Sequence, residues 1–216
     1  MSAAASPSPR PDAIQSALRD AILDGSEAPG STLTESAVAL RFGVTRPTAK
    51  LALERLVSDG LLRREPYQAA RVPELTPDDI RDLFDTRAMV EGAAVSTLAR
   101  SGAVPPAAVA AQRELRAHPA SFAKDDIAFH RALVAGQPSP RLARMHELVM
   151  GEVELCIGQV QANHLLDASE VAAQHQQIMD AITRGDPVDA ARFTRQHIEG
   201  ARDVLLGHFA TTHGDD

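Results

Sequence analysis

Residues 34–60 read TESAVALRFGVTRPTAKLALERLVSDG. Thr34 stands where an N-cap belongs, ahead of Glu35, Ala37, Val38 and Leu40, and Gly43 supplies a stop after about two turns. Thr45 caps a second helix whose inward positions are Ala49, Ala52, Leu53, Leu56 and Val57. Pro47 falls in its first turn, where a missing amide is tolerated, and Gly60 closes it. Arg46 and Lys50 lie one turn apart and off the apolar stripe, so both point outward from one face.

Upstream, Ile14, Ala17, Leu18, Ala21 and Ile22 recur at helical spacing before Gly25, which predicts a helix over residues 12–24. Downstream, Leu61–Arg64 and Arg71–Val72 read as two short strands joined by a turn through Pro66 to Ala70. Helix, short helix, helix and small hairpin is the order of a winged helix-turn-helix domain, here residues 12–73. Such a domain lays its third helix in the major groove of double-stranded DNA, with the N-terminal residues of that helix at the base edges. Arginine suits the O6/N7 edge of guanine, and lysine serves there or on phosphate. Thr45, Arg46, Thr48, Lys50 and Arg41 are therefore the candidate DNA contacts. Charge agrees: from Arg41 to Arg64 six Lys or Arg face two Asp or Glu, in a chain whose net charge is −7.

Beyond residue 73 the pattern changes. Leu75-Thr76-Pro77-Asp78-Asp79 sets a capping threonine, a proline at the first helical position and two acids in the first turn. Ile80, Leu83, Phe84, Arg87, Met89, Val90, Ala94 and Leu98 then keep helical spacing to about Arg100. Further helices are expected over 106–117, 121–136, 139–162, 168–184 and 187–209, and no run alternates with a period of two. The fold class is mainly α: a winged helix-turn-helix, a linker at 74–76, and an all-α bundle of six helices over 77–210. Residues 1–11 are small, polar and Pro-rich and read as a flexible leader, and 211–216 as a flexible tail.

With 44% apolar and 24% charged residues the chain is too apolar for disorder, yet no apolar run approaches the ~20 residues needed to cross a bilayer. No membrane partner is expected. The lone Cys156 excludes an intrachain disulfide and points to a reducing, cytoplasmic setting.

In the second half the histidines are the informative residues. Asp126 and His130 are four apart and share a helix face. His175 lies on the stripe Val171, His175, Ile178, Ile182, and His197 on Ala190, Phe193, His197, Ala201, Val204, so both point inward. Three inward imidazoles and a carboxylate are donors a divalent transition metal prefers, and three separately hydrogen-bonded core histidines would leave the same pattern. An inward Arg87 needs an anion, either Glu91 one turn on or the carboxylate of a ligand. Histidines 118, 146, 164, 208 and 213 fall near ends or polar stretches and receive no role, and Cys156 reads as core.

The run from Leu18 to Val72, with AILDG, Pro29-Gly30, LTE at 33–35, FGVTR at 42–46 and the closing Val72, resembles the DNA-binding half of GntR-type bacterial transcription regulators. That resemblance implies that Arg46 and Lys50 touch the operator; Ala69 stands for the glycine usual at the tip of the wing. Residues 80–208 resemble the FCD ligand-sensing domain of the FadR branch of these regulators. The matching pieces are Arg87-x-x-x-Glu91, Asp126-x-x-x-His130, His175 before Ile178, Gly185-Asp186 and His197. The resemblance implies that Asp126, His130, His175 and His197 hold a divalent cation and that a small carboxylate effector completes its coordination, with Arg87 gripping the acid. Such N3O ligation suits Zn, Ni, Mn or Fe almost equally.

Together these readings describe a homodimeric transcriptional repressor on a palindromic operator, controlled by an organic acid bound at the metal. A regulator for which the cation itself is the signal is the alternative. A metal-dependent enzyme is a third reading, for which the sequence offers neither a placed general base nor a nucleophile motif.

Overall fold

A computed structural model describes residues 10–213 and divides them into two compact units, residues 10–74 and 75–213. Residues 1–9 of the expected leader and 214–216 of the expected tail lie outside the described residues.

The first unit holds α1 (Pro11–Leu23), β1 (Thr32–Leu33), α2 (Glu35–Phe42), α3 (Arg46–Ser58) and β2 (Ala70–Arg71). Thr34 caps α2 by accepting from the Ala37 amide, and Thr45 caps α3 by accepting from that of Thr48. Gly43, left-handed at φ 64°, turns the chain between them. Ile14, Leu18 and Ile22 from α1, Val38 from α2, and Ala49, Leu53 and Leu56 from α3 close one core, which Leu61, Leu62 and Val72 complete.

The wing departs from the expected hairpin. Strand pairing runs antiparallel between β1 and β2, Thr32 opposite Arg71 and Leu33 opposite Ala70, and residues 61–64 contribute a single bridge, Arg63 to Arg71. The reason lies in Leu61 and Leu62: both amides donate to the Leu56 carbonyl and both side chains are buried, so this pair continues the helix end instead of alternating across a sheet. The left-handed residue of the wing is Tyr67, at φ 65°, with its ring fully exposed, and not Ala69. A non-glycine residue in that region carries about 1 kcal/mol of strain. Tyr67→Gly is accordingly expected to raise the unfolding free energy of the first unit by a few tenths to about 1 kcal/mol, read as a higher urea midpoint.

The second unit holds α4 (Pro77–Ser101), α5 (Pro106–Ala117), a single 3-10 turn (Pro119–Ser121), α6 (Phe122–Gly136), α7 (Pro140–Ala162), α8 (Ala168–Thr183) and α9 (Pro187–His213). A reciprocal capping box starts α4: Thr76 Oγ1 accepts from the Asp79 amide and Asp79 Oδ2 from the Thr76 amide. α9 runs on through residues 211–213, which were expected as tail, because neither glycine nor proline interrupts residues 208–213. α4 lies at the centre, packed against α6, α7, α8 and α9. Its Phe84 belongs to one apolar cluster, with Leu115, Ile127, Met150, Ile157 and Ile198; its Val95 and Leu98 belong to another, with Phe129, Leu133, Ile178 and Ile182. Arg87 and Glu91 occupy the turns of α4 between these clusters, both fully buried. The polar site is thus enclosed by packed hydrocarbon.

Candidate functional site

Three helices bring the four expected donors together. Asp126 and His130 stand one turn apart on α6, His175 comes from α8 and His197 from α9, and every one of these side chains is buried. Asp126 Oδ1 lies 3.7 Å from His130 Nε2, 3.2 Å from His175 Nε2 and 3.4 Å from His197 Nε2, and the two nitrogens of His130 and His197 are 3.0 Å apart. Ligands each roughly 2.0–2.1 Å from one cation sit about 3.0–3.5 Å from one another, and the four donor atoms here, all within 4.8 Å of one another, approach that spacing. Asp126 Oδ2 and His175 Nε2 are buried without a hydrogen-bond partner. In an apolar interior that is costly unless something else takes their lone pairs.

The far side of each imidazole is held. His130 Nδ1 lies 2.5 Å from Glu91 Oε2, His175 Nδ1 3.1 Å from Gln112 Oε1, and His197 Nδ1 2.7 Å from Gln174 Oε1. All three partners are acceptors, so each ring donates from Nδ1 and turns its Nε2 toward Asp126. Gln112 is itself anchored through Nε2 to the Ala172 carbonyl at 2.7 Å, and Phe129 stacks on the His175 ring at 3.8 Å between centroids.

Electrostatics follow the same arrangement. Burial opposes the Asp126 charge, yet the three surrounding imidazoles outweigh it and hold the carboxyl well below its usual range. Burial pushes His175 down to about 3 and lowers His197. Burial acts likewise on His130, but the Glu91 charge overcomes it and raises that ring above its ordinary value. Burial also pushes the Cys156 thiol up to about 12, leaving it an inert core residue.

Arg87 is paired with Glu91, as one of the two sequence readings has it: Nε donates to Oε1 at 2.7 Å. That uses only the inner edge of the guanidinium. Both terminal nitrogens, Nη1 and Nη2, are buried and have no hydrogen-bond partner. Glu91 Oε1 also accepts from His146 Nε2 at 2.9 Å, which corrects the reading of His146 as a residue without a role. The signal was in the sequence, since His146 heads the stripe Met150, Val153, Ile157, Val160 on α7. Gln112 had a weaker one, as a polar residue aligned with Ala108 and Leu115; Gln174, beside His175, had none.

In the first unit, Arg46 and Lys50 stand exposed on the first turns of α3, Arg46 Nη2 3.9 Å from Glu35 and Lys50 Nζ 3.6 Å from Glu54. Screened pairs of this kind are weak and release their cations readily. Arg41 is tied more closely, Nη1 to Glu27 Oε1 at 2.6 Å. The hydroxyls of Thr45 and Thr48 lie 2.9 Å apart and engage each other.

Comparison with known proteins gives the same division. Residues 11–72 match the gntR family of bacterial regulatory proteins, and residues 82–200 match the FCD domain. An HTH-type transcriptional regulator of the TAR-I ttuE-ttuC' intergenic region of Agrobacterium vitis is 34% identical over 90 residues, 42% of this chain and 53% of the relative, so that match spans about half the relative's length. The HTH-type transcriptional repressor GlaR of Escherichia coli K12 is 27% identical over 203 residues, covering 84% of this chain and 89% of the relative. Among solved structures, a transcriptional regulator GntR from Rhodococcus sp. RHA1 superposes with a TM-score of 0.75 at 26% identity, over 91% of this chain and 97% of that one.

Proposed function

The chain belongs to the gntR family of bacterial regulatory proteins and carries an FCD domain, and from that premise we propose that it is a cytoplasmic transcriptional repressor whose hold on a palindromic operator is set by a small carboxylate bound at a divalent cation. The observation that carries the sensing half is the set of three Nδ1 atoms facing acceptor oxygens, which leaves three Nε2 atoms and Asp126 Oδ1 gathered within 4.8 Å of one another. Zn, Ni, Mn or Fe would fit that donor set. Bound there, the cation supplies a Lewis-acidic centre with coordination positions left over.

Charge supports a monocarboxylate as the effector. With neutral imidazoles, Arg87, Glu91 and Asp126 sum to one negative charge, and a divalent cation turns this into one positive charge in a buried setting. A monocarboxylate neutralises it, and the two unpartnered nitrogens of Arg87 match the fork of a carboxylate. Binding of the acid in the second unit is expected to change operator affinity by about 1–3 kcal/mol of coupling.

On DNA, Arg46 and Lys50 at the start of α3 are the base-reading pair; Thr45 and Thr48 hold that turn and offer hydroxyls to phosphate, and Arg41 contributes charge. A palindromic operator calls for a homodimer, with half-sites about one helical turn apart. The test is operator binding, on a duplex selected from random sequence, with metal alone and then with organic acids at fixed metal. Release by an acid supports the proposal, release by metal alone makes the cation the signal, and turnover of an acid would make the protein an enzyme. In the same assay Arg46→Ala weakens specific binding by about 1–3 kcal/mol, and unchanged affinity removes Arg46 from the interface.

A further inference from the structure

Glu91 receives three donors at once. Its Oε1 accepts from Arg87 Nε at 2.7 Å and from His146 Nε2 at 2.9 Å, and its Oε2 faces His130 Nδ1 at 2.5 Å. The carboxylate is buried, so its bonding is complete within the protein. The other two imidazoles of the cluster are held by neutral amide oxygens, those of Gln112 and Gln174. His130 alone is oriented by a charge.

We propose that Glu91 is a positioning residue for the cation: by accepting from Arg87, His146 and His130 together it keeps the His130 proton on Nδ1 and presents Nε2 as a metal donor. This rests on the reading of Asp126, His130, His175 and His197 as a cation site. The argument turns on what an amide does in the same place. Arginine only donates, so in Glu91→Gln the single acceptor oxygen stays with Arg87 and His146. The amide nitrogen then faces His130 Nδ1, which must accept, and the ring proton moves to Nε2. There it finds an acceptor in His197 Nε2, 3.0 Å away. The variant therefore keeps its buried hydrogen bonds, though Arg87 loses its charge partner, while the lone pair the cation needs is gone.

Titration of the chelator-stripped full chain with Zn2+, followed by calorimetry, reads the consequence. Wild type takes up one Zn2+ per chain, and Glu91→Gln binds it about 10–100-fold more weakly, the effect usual for loss of a ligand's hydrogen-bond partner. A long-range 1H–15N spectrum of histidine-labelled, zinc-loaded wild type shows the His130 proton on Nδ1, and the metal-free variant shows it on Nε2. Equal zinc affinity in the two proteins overturns the proposal, as does an Nε2 proton in loaded wild type. A wild type that takes up no Zn2+ overturns the cation site itself and this inference with it. Should the variant fail to fold, the wild-type spectrum alone decides.

Discussion

Removing the divalent cation is expected to lower the melting temperature of the second unit by on the order of 10 °C. A ligand that binds only the folded state stabilises it by about 4 kcal/mol at a thousandfold excess over its dissociation constant. For domains of this size each kcal/mol moves the midpoint by roughly 2–4 °C. Scanning calorimetry of the stripped chain, with and without added Zn2+ or Ni2+, measures the shift. Protons provide a second readout. Asp126 is held well below its usual range and His175 is down at about 3, so both already stand in their ligating forms at neutral pH. His197 is lowered too, and His130, raised by the Glu91 charge, is the ring whose proton competes with the cation. Uptake should therefore release more protons as pH falls toward 6.5, read from calorimetry in buffers of different ionisation enthalpy, and the thermal shift should shrink as pH falls. In the stripped chain the signs differ by residue. The elevated His130 contributes stability below about 6.5 that is lost as pH rises through its native value, whereas the depressed His175 and His197 lose stability as pH falls below 6.5. A melting point indifferent to every one of these metals removes the cation from the proposed function.

What the sequence made legible was what a helical period makes legible. Asp126 and His130 share a face because they are four apart, and His175 and His197 sit on stripes of Val171, Ile178, Ala190 and Ala201, so the approach of all four could be foreseen. The partners behind the imidazoles could not. Gln112 and Gln174 reach His175 and His197 across helix–helix contacts whose register depends on side-chain packing, which no single helix encodes. The wing shows a different limit: Leu61 and Leu62 look like the start of a strand, yet both carry their amides back to Leu56, and β1 pairs with β2 instead. Short segments of two residues take their partners from tertiary context.

Arg87→Ala is expected to destabilise the second unit by about 3–5 kcal/mol, the range for stripping one partner from a buried ion pair. Burial raises the free energy of the Glu91 charge, and the Arg87 charge is the first of the forces that hold this carboxyl well below its usual range. Without arginine, Glu91 keeps only His130 and His146, and the void left by the largest fully buried side chain adds a cavity cost. Arg87→Lys should recover part of the loss, since the ammonium preserves the charge but lacks the fork. A double-mutant cycle with Glu91→Leu separates pairing from packing. Glu91→Leu alone strands Arg87 and leaves His130 and His146 without their acceptor, so it too is severe. Removing both residues should cost less than the two single losses added, by up to about 3 kcal/mol, because neither charge is then left alone in the core. Urea midpoints of the four proteins, taken without metal, give the coupling directly. Strict additivity would mean that Arg87 and Glu91 do not stabilise each other, despite the 2.7 Å contact between them.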